Sequence, residues 1–435
     1  MQRILWSVLA LMAFLGVALA GLVAMNLRGE EPLQGAQAFQ STPELIAQGA
    51  YLARVGGCKG CHTAQGGKPY AGGRGMETPF GVVYAPNLTP DPATGLGPWS
   101  AGEFWRALHH GRSRDGRLLY PAFPYLQYTQ VTRADADAIY AYLRSLPAVA
   151  QANRPHALGF PFNTQLALAG WRALFFKPGT AVPEAARSAQ WNRGAYLVHG
   201  LGHCAACHTP RNALGGPRSS QPLGGGLIPV ENWYAPALNT ESEAGVAHWP
   251  ISDVVALLQT GRAPQASVMG PMAEVVFGST QYLTDADARA MAVYLQSLVL
   301  PRPSAPHAAQ VLQAQGAPDV PKTAALGQGA QVYGTHCAQC HGEKGQGQPG
   351  AFPALAGNRA VTLADPSNLV RVLLQGGYLP ATAGNPRPHG MPPFQQTLRD
   401  DEVAAVASFV RSAWGNQAGS VATIEVYRAR ERRSP

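Results

Sequence analysis

Three Cys-x-x-Cys-His motifs carry the clearest chemistry in this sequence, and together they contain all six cysteines. Two thiols at this spacing lie about one helical turn apart, where they can bond the two vinyl groups on one side of a porphyrin. The histidine that follows can then ligate the iron. The predicted attachment residues are Cys58, Cys61, Cys204, Cys207, Cys337 and Cys340, and the predicted proximal ligands are His62, His208 and His341. The pattern predicts three covalently bound haem c groups, whose chemistry is electron transfer.

Two other kinds of site also use paired cysteines, namely zinc knuckles and redox-active dithiols. A zinc site needs four ligands, and three cysteine pairs would leave one set incomplete. A redox dithiol gives no reason for a histidine to follow the second cysteine every time. The sequence therefore favours haem attachment at all three motifs.

The sixth ligand of such an iron is usually a methionine, whose soft sulfur raises the reduction potential. In the last repeat, Met391 follows Gly376, the glycine that ends the preceding helix, in a loop rich in Gly and Pro. In the middle repeat, Met272 follows Gly261 in the same way and has a proline neighbour, which Met269 lacks. A methionine often only fills a core, but these positions predict that Met272 and Met391 are distal ligands.

The first repeat has no methionine at the matching place, because the same count from Gly111 reaches Phe123. A phenylalanine ring cannot ligate iron, so the first haem is either five-coordinate or bound by another residue. Three candidates stay open. Met76 comes soon after the first motif and would need an unusual loop, while His109 and His110 end the middle helix of the repeat.

The motifs belong to a longer unit that occurs three times. Each repeat opens with a helical pattern that contains a glycine, and closes with an amphipathic helix that begins with aspartates and carries an aromatic residue near its end. The glycines are Gly49, Gly194 and Gly329, and the aromatic residues are Tyr142, Tyr294 and Phe409. A glycine facing an aromatic residue permits a close helix crossing, and this arrangement resembles the class I cytochrome c fold. A third helix lies between these two and ends at a glycine, where the chain turns toward the iron.

The predicted fold is all-α, with three tandem class I cytochrome c domains after an N-terminal transmembrane or signal helix. The predicted segments are an anchor or signal over 1–28, domain 1 over 42–150, a connecting segment over 151–190, domain 2 over 191–300, a linker over 301–321, domain 3 over 322–415 and a C-terminal extension over 416–435.

The N-terminal segment has Arg3 and then 22 uncharged, almost wholly apolar residues from Ile4 to Met25. This run is long enough to cross a bilayer and exceeds the usual core of a cleaved signal peptide. Arg3 favours a cytoplasmic N-terminus, with the rest of the chain outside. A retained anchor is the preferred interpretation, and cleavage after Ala20 is the alternative.

The net charge of +8 is spread along the chain, apart from a basic C-terminal tail. No basic cluster accompanies a nucleic-acid motif, so we expect no nucleic-acid partner. The charge fits solubility, the steering of partners or contact with anionic lipid. A Gly-x-Gly-x-x-Gly sequence at 345–350 follows a haem motif rather than a strand, so it predicts no nucleotide site.

Beyond the motifs, the chain resembles the membrane-bound triple-haem cytochrome c subunits of periplasmic alcohol, aldehyde, gluconate and sugar dehydrogenases. The stretches that carry this resemblance include 78–81, 87–91, 193–197, 270–276 and 414–416. The resemblance implies a non-catalytic subunit that takes electrons from a periplasmic dehydrogenase catalytic subunit and passes them to ubiquinone or a terminal oxidase. It also implies a place in the bacterial inner (cytoplasmic) membrane, with the haem domains facing the periplasm. Many alcohol and gluconate types have methionine at Phe123, and phenylalanine is more similar to a variant associated with molybdenum aldehyde or heteroaromatic oxidoreductases.

Two alternatives belong to other functional classes. An open first haem would permit a stand-alone enzyme of peroxidase-like type, with His109 or His110 as the distal acid–base group. The other alternative is a quinol-oxidising chain that feeds an oxidase. Peroxide turnover by the purified chain would favour the first of these.

Overall fold

The computed structural model describes residues 2–30, 33, 39–299 and 322–431, and the predicted linker over 301–321 lies outside them. The chain forms two compact units. The first comprises Met1–Pro183, Val198–Ala206 and Arg211–Arg218, and the second comprises Glu184–Leu197, Cys207–Pro210 and Ser219–Pro435.

The N-terminal run forms one uninterrupted helix, α1 (Gln2–Leu27). It is the one helix within the described residues that is long and apolar enough to cross a membrane. Both a membrane anchor and a signal segment have these properties. The side chain of Asn26 is buried near its C-terminal end, which places a polar contact directly after the apolar run.

Each repeat is built on a crossing between its first and last helix. The first helices are α2 (Pro43–Val55), α8 (Ala189–Tyr196) and α13 (Lys322–His336), and the last are α6 (Arg133–Ser145), α12 (Asp285–Gln296) and α17 (Asp400–Ser412). Threonine caps fix two of the last helices, since Thr132 and Thr284 accept the amides of Asp135 and Asp287.

A glycine permits each of these crossings, as the sequence predicts. A Cβ atom on Gly49 would press into the backbone carbonyl of Ala138 and lie 2.9 Å from Cβ of Tyr142. The equivalent distances are 2.8 Å between Gly194 and Tyr294 and 2.7 Å between Gly329 and Phe409. Side-chain Cβ atoms do not approach this closely, so only glycine fits at these three places.

The middle helix of each repeat also ends as predicted. These helices are α4 (Ala101–His110), α10 (Ile251–Thr260) and α16 (Ser367–Gln375). Their final glycines Gly111, Gly261 and Gly376 have φ of 57°, 73° and 68°, a left-handed backbone that favours glycine.

The remaining helices are short or lie between the repeats. They are α3 (Cys58–Cys61), α5 (Tyr125–Tyr128), α7 (Gln165–Phe175), α9 (Ala205–His208), α11 (Pro271–Gly278), α14 (Ala338–His341), α15 (Arg359–Thr362) and α18 (Thr423–Glu431), with a π-helical turn at Leu197–Leu201 and a 3-10 turn at Thr280–Tyr282.

Short antiparallel strands supplement this helical fold. The first three, β1 (Gly75–Thr78), β2 (Gly81–Tyr84) and β3 (Ala157–Leu158), form one sheet in that order. The others pair as β4 (Gly226–Leu227) with β5 (Tyr234–Ala235), β6 (Arg262–Ala263) with β7 (Ala266–Ser267) and β8 (Gly377–Tyr378) with β9 (Gly390–Met391). Most have two residues, too few for a sequence alternation to reveal them.

The core of the last repeat surrounds its motif. Val403, Val406 and Val410 on α17 are buried together with Cys337, and Met391 packs against this cluster. The helix crossing therefore holds the attachment thiol and the predicted distal methionine in one apolar environment.

Candidate haem-binding sites

Each Cys-x-x-Cys-His motif lies on a single helical turn, formed by α3, α9 or α14. In the first motif, the carbonyl of Cys58 accepts the amide hydrogen of His62 at 3.0 Å. In the third, the carbonyl of Cys337 accepts that of His341 at 2.9 Å. The backbone thus carries each imidazole one turn beyond the first thiol.

The three motif imidazoles share a hydrogen bond that the sequence analysis missed. In each, Nδ1 faces the carbonyl oxygen of a proline. The pairs are His62 with Pro86 at 2.8 Å, His208 with Pro236 at 2.7 Å and His341 with Pro353 at 3.0 Å. A ring nitrogen that faces a carbonyl must carry the proton, so Nε2 keeps its lone pair for a metal.

Burial keeps these imidazoles neutral. It lowers the pKa of His62, His208 and His341 below the usual 6.5, against a weaker opposing effect of the proline carbonyls. A neutral imidazole with a free Nε2 is the form that ligates iron.

The thiols lie in pairs rather than in four-ligand sets. All six cysteines are free of disulfides, and the described residues contain no group of three or more His, Cys, Asp or Glu side chains that could hold a metal ion. Burial, with the neighbouring Cys61, raises the pKa of Cys58 to about 12, and burial, with Cys340, raises that of Cys337 to about 11. At these two cysteines the shifts disfavour the free thiolate that dithiol redox chemistry requires.

The motif residues therefore fit covalent haem. Paired thiols one turn apart would hold the porphyrin, and an imidazole with the required tautomer would ligate the iron. When bound, haem supplies reversible one-electron chemistry.

The structure aligns Phe123 of the first repeat with Met272 of the second. The carbonyl of Gly111 accepts the amide of Leu119 at 2.8 Å, and that of Gly261 accepts the amide of Val268 at 2.9 Å. Phe123 and Met272 each lie four residues beyond this equivalent bond. The match is therefore one of backbone geometry as well as sequence.

Met391 lies beside the matching glycine of the third repeat. β8 pairs with β9 so that Gly377 is opposite Met391, and a Cβ on Gly376 would strike the Met391 carbonyl. In the second repeat, Met269 points elsewhere, because its Cε lies 2.9 Å from the position of a Cβ on Gly377. This contact supports Met272 over Met269 as the distal residue.

Phe123 packs on the side of the first motif. Its ring lies 5.5 Å from that of Tyr128. Burial raises the pKa of Tyr128 well above 10, with further contributions from the nearby Cys58 and Cys61. Phe123 thus packs against a tyrosine that lies beside the first motif.

Met76 is the first of the three candidate sixth ligands of the first haem. It lies on β1 opposite Val83 of β2. The chain leaves β2 and soon reaches Pro86, whose carbonyl contacts Nδ1 of His62, the predicted proximal ligand. Met76 therefore lies in the segment that orients this imidazole, which argues against Met76 as a ligand on the opposite side of the iron.

His109 and His110, the other two candidates, are buried at the end of α4. Burial and the neighbouring His110 lower the pKa of His109 to about 4, and burial with Arg172, Arg112 and Arg106 lowers that of His110 to about 4. Nδ1 of each is buried without a hydrogen-bond partner in the part of the chain that the structure describes. Both rings are neutral and retain an unused nitrogen, so both remain candidates.

A contact that the sequence does not predict joins two residues that lie just before the first and second motifs. The carbonyl of Gly56, just before Cys58, accepts the Tyr128 hydroxyl at 3.0 Å and lies 3.3 Å from Nε2 of His203. His203 directly precedes Cys204 and has a φ of 39°. This partly buried contact reveals His203, which no sequence pattern indicated.

A family model described as cytochrome c matches three stretches of the chain, residues 46–147, 192–299 and 327–414. The chain belongs to the cytochrome c family. These stretches contain the three motifs, and cytochrome c domains bind haem c covalently.

Similar proteins are named as subunits of dehydrogenases. This cytochrome is 38% identical over 420 residues to the cytochrome c subunit of a quinone alcohol dehydrogenase from Gluconacetobacter polyoxogenes, covering 92% of this chain and 87% of that protein. It is 38% identical over 397 residues to the gluconate 2-dehydrogenase cytochrome c subunit of Pantoea cypripedii, covering 88% and 89%. It is 43% identical over 372 residues to a nicotinate dehydrogenase subunit of Pseudomonas putida, covering 84% of this chain but 30% of that longer protein.

These findings confirm the predicted family resemblance and the fold of three cytochrome c domains. They also confirm the prediction of an electron-transfer subunit rather than a catalytic one. The peroxidase-like alternative gains no support from them.

Proposed function

We propose that this cytochrome carries electrons one at a time from the catalytic subunit of a periplasmic dehydrogenase, through three haem c groups, to ubiquinone or a terminal oxidase. The observation that carries the proposal is the repeated arrangement of His62, His208 and His341, each with Nδ1 on a proline carbonyl. Three equivalent proximal sites in one chain suit a relay. The names of the similar proteins support a dehydrogenase as the electron source.

The repeated backbone geometry supports the proposed ligand set. His62, His208 and His341 would be proximal ligands, and Met272 and Met391 distal ones. Phe123 takes the matching place in the first repeat, so the first iron would be five-coordinate or bound by His109 or His110. Unequal ligation gives unequal potentials, which would give the relay a direction.

The proposed location is the inner membrane, with the haem domains in the periplasm. α1 has the length of a membrane span, and the chain at its C-terminal end contacts both the connecting segment and the first domain. Asn26 Nδ2 donates to the Ala169 carbonyl at 3.1 Å, and Arg112 Nε lies 2.9 Å from Glu30. These contacts support a retained anchor that is continuous with the first domain.

Co-purification tests the function. The chain, isolated gently from native membranes, should bring with it one dehydrogenase catalytic subunit that mass spectrometry can identify. Addition of that enzyme's substrate should reduce the haems, seen as a sharpened α band. A chain that purifies alone and turns over hydrogen peroxide would refute the proposal.

A second candidate for the electron source is an enzyme that oxidises an N-heteroaromatic ring. The 43% identity to a nicotinate dehydrogenase subunit and the phenylalanine at position 123 favour it. The test adds nicotinate, ethanol, acetaldehyde or gluconate to separate samples of the co-purified complex and records haem reduction. Reduction by nicotinate alone would separate this candidate from alcohol, aldehyde and sugar oxidation.

A further inference from the structure

Helix α7, between the first two repeats, exposes an apolar face. Leu166 and Leu174 are 68% and 69% exposed, and they lie eight residues apart with Gly170 between them, so they share one face of the helix. Phe160, shortly before the helix, is 84% exposed. Two large leucines exposed on one helix face, with an exposed phenylalanine shortly before the helix, form the kind of apolar surface that marks an interaction site.

The opposite face of α7 is bound to the end of α1. The Ala169 carbonyl accepts from Asn26, and Arg172 Nε donates to the Asn26 side-chain oxygen at 3.1 Å. Arg28 donates to the carbonyl of Phe176, directly after the helix, at 3.2 Å. α7 is therefore fixed against the last turns of α1.

The polar groups in this junction are sheltered. Arg172 is 3% exposed, stacks 4.4 Å from the Phe176 ring and donates to the His110 carbonyl. Asn26 is 7% exposed. Because these donors are satisfied inside the junction, α7 can present its leucines outward without exposing buried polar atoms.

The length of α1 indicates the depth of this junction relative to the bilayer. Its 22-residue apolar run ends at Met25, and at 1.5 Å per residue it extends about 33 Å, close to the roughly 30 Å hydrocarbon core of a bilayer. Asn26 then lies where the span leaves the hydrocarbon. α7, bound to Asn26, lies at the same level, with the exposed basic side chains of Arg28 and Lys177 nearby in the chain.

We propose that α7 and Phe160 form a second membrane contact, an interfacial helix whose Leu166 and Leu174 face enters the periplasmic surface of the bilayer. The inference rests on the proposed function in one respect, that α1 spans the inner membrane. Continuity with α1 favours lipid over a protein partner, and Arg28 and Lys177 suit anionic headgroups. This contact holds the first domain directly on the membrane surface, whereas α1 alone would only connect the domain to the bilayer.

Spin labels on the full-length, haem-loaded chain test this proposal. All native cysteines belong to the haem motifs, so an introduced cysteine is the single thiol available to a nitroxide once the haems are attached. The labelled variants are Leu166→Cys and Leu174→Cys, with Ser145→Cys as the control at an exposed position at the end of α6. Each is placed in vesicles of phosphatidylethanolamine and phosphatidylglycerol, and collisions with oxygen and with a water-soluble nickel chelate are measured.

At positions 166 and 174, oxygen should collide more often than nickel, and at position 145 the order should be reversed. Nickel access at 166 and 174 equal to that at 145 would overturn the proposal. Protection from both reagents only after a dehydrogenase catalytic subunit is added would also overturn it, since the face would then bind protein. Haem reduction by the dehydrogenase, measured on the same vesicles, tests the proposed function separately from the label positions.

Discussion

At the scale of single residues, the repeated feature is a proline carbonyl that orients each motif imidazole. The bond fixes Nδ1 as the protonated nitrogen. The Nε2 lone pair is therefore already free to bind iron, because the other tautomer is disfavoured. The sequence reveals the histidines through the local motif. It does not reveal Pro86, Pro236 or Pro353, because they follow at different distances along the chain and meet the imidazole only in the folded loop.

Replacement of the distal methionine tests the ligand assignment in the second repeat. Met272→Ala should remove a thioether ligand and lower the potential of one haem by on the order of 0.1 V, within the roughly 0.8 V range that axial ligands span. Met269→Ala is the matched control, because its side chain extends toward Gly377. A redox titration distinguishes the two, and equal potentials in both variants would remove Met272 from the ligand set.

The first haem should be converted toward its neighbours by Phe123→Met. This change places a thioether at the position that the Gly111 and Gly261 hydrogen bonds make equivalent to Met272. The potential of the first haem should rise, and the ferric charge-transfer band of methionine ligation should gain one equivalent. An unaltered spectrum, with the protein folded, would show that another residue already occupies that side of the iron.

Tyr128 contributes to the stability of the first domain through the Gly56 carbonyl. Tyr128→Phe removes a buried hydrogen bond of 3.0 Å, so the free energy of unfolding should fall by about 1 kcal/mol. Tyr427→Phe is the control, since that hydroxyl bonds an exposed Glu431 and its loss should change little. Denaturant unfolding compares them, and equal losses would contradict this role for Tyr128.

At the scale of the elements, the crossing of the first and last helix positions every motif. The sequence predicts this crossing well, because a glycine and an aromatic residue at helical spacing leave a readable pattern. It predicts the middle helices equally well from their terminal glycines. The two-residue strands and the π-helical turn at Leu197–Leu201 leave no such pattern, since loop contacts determine them.

Two glycines of α13 provide a matched test of the crossing. Gly329→Ala would force a Cβ to within 2.7 Å of Cβ of Phe409, whereas at Gly334 a Cβ meets nothing within 4 Å. The first change should destabilise the last domain by about 1–3 kcal/mol. The second should be neutral or stabilise the helix by up to about 1 kcal/mol. Similar unfolding curves for both variants would mean that the crossing is looser than described.

At the scale of the whole molecule, three cytochrome c domains follow the apolar helix α1 along the chain. The mass of the mature chain tests whether that helix is kept. A mass that includes residues 1–20 is expected, because the apolar run has the length of a span rather than of a signal core. A chain that begins near Gly21 would show that the segment is removed.

The proposed relay requires one chain to hold three covalent haems that each exchange one electron. The most direct measurement is a coulometric titration of the purified chain, combined with the haem content that survives acid–acetone extraction. Three haems per chain should be retained, and the chain should take up three electrons, with the haem of the first repeat at a distinct potential. Two retained haems, or two electrons, would show that one of the three motifs does not hold a working haem and would rule out a three-haem relay.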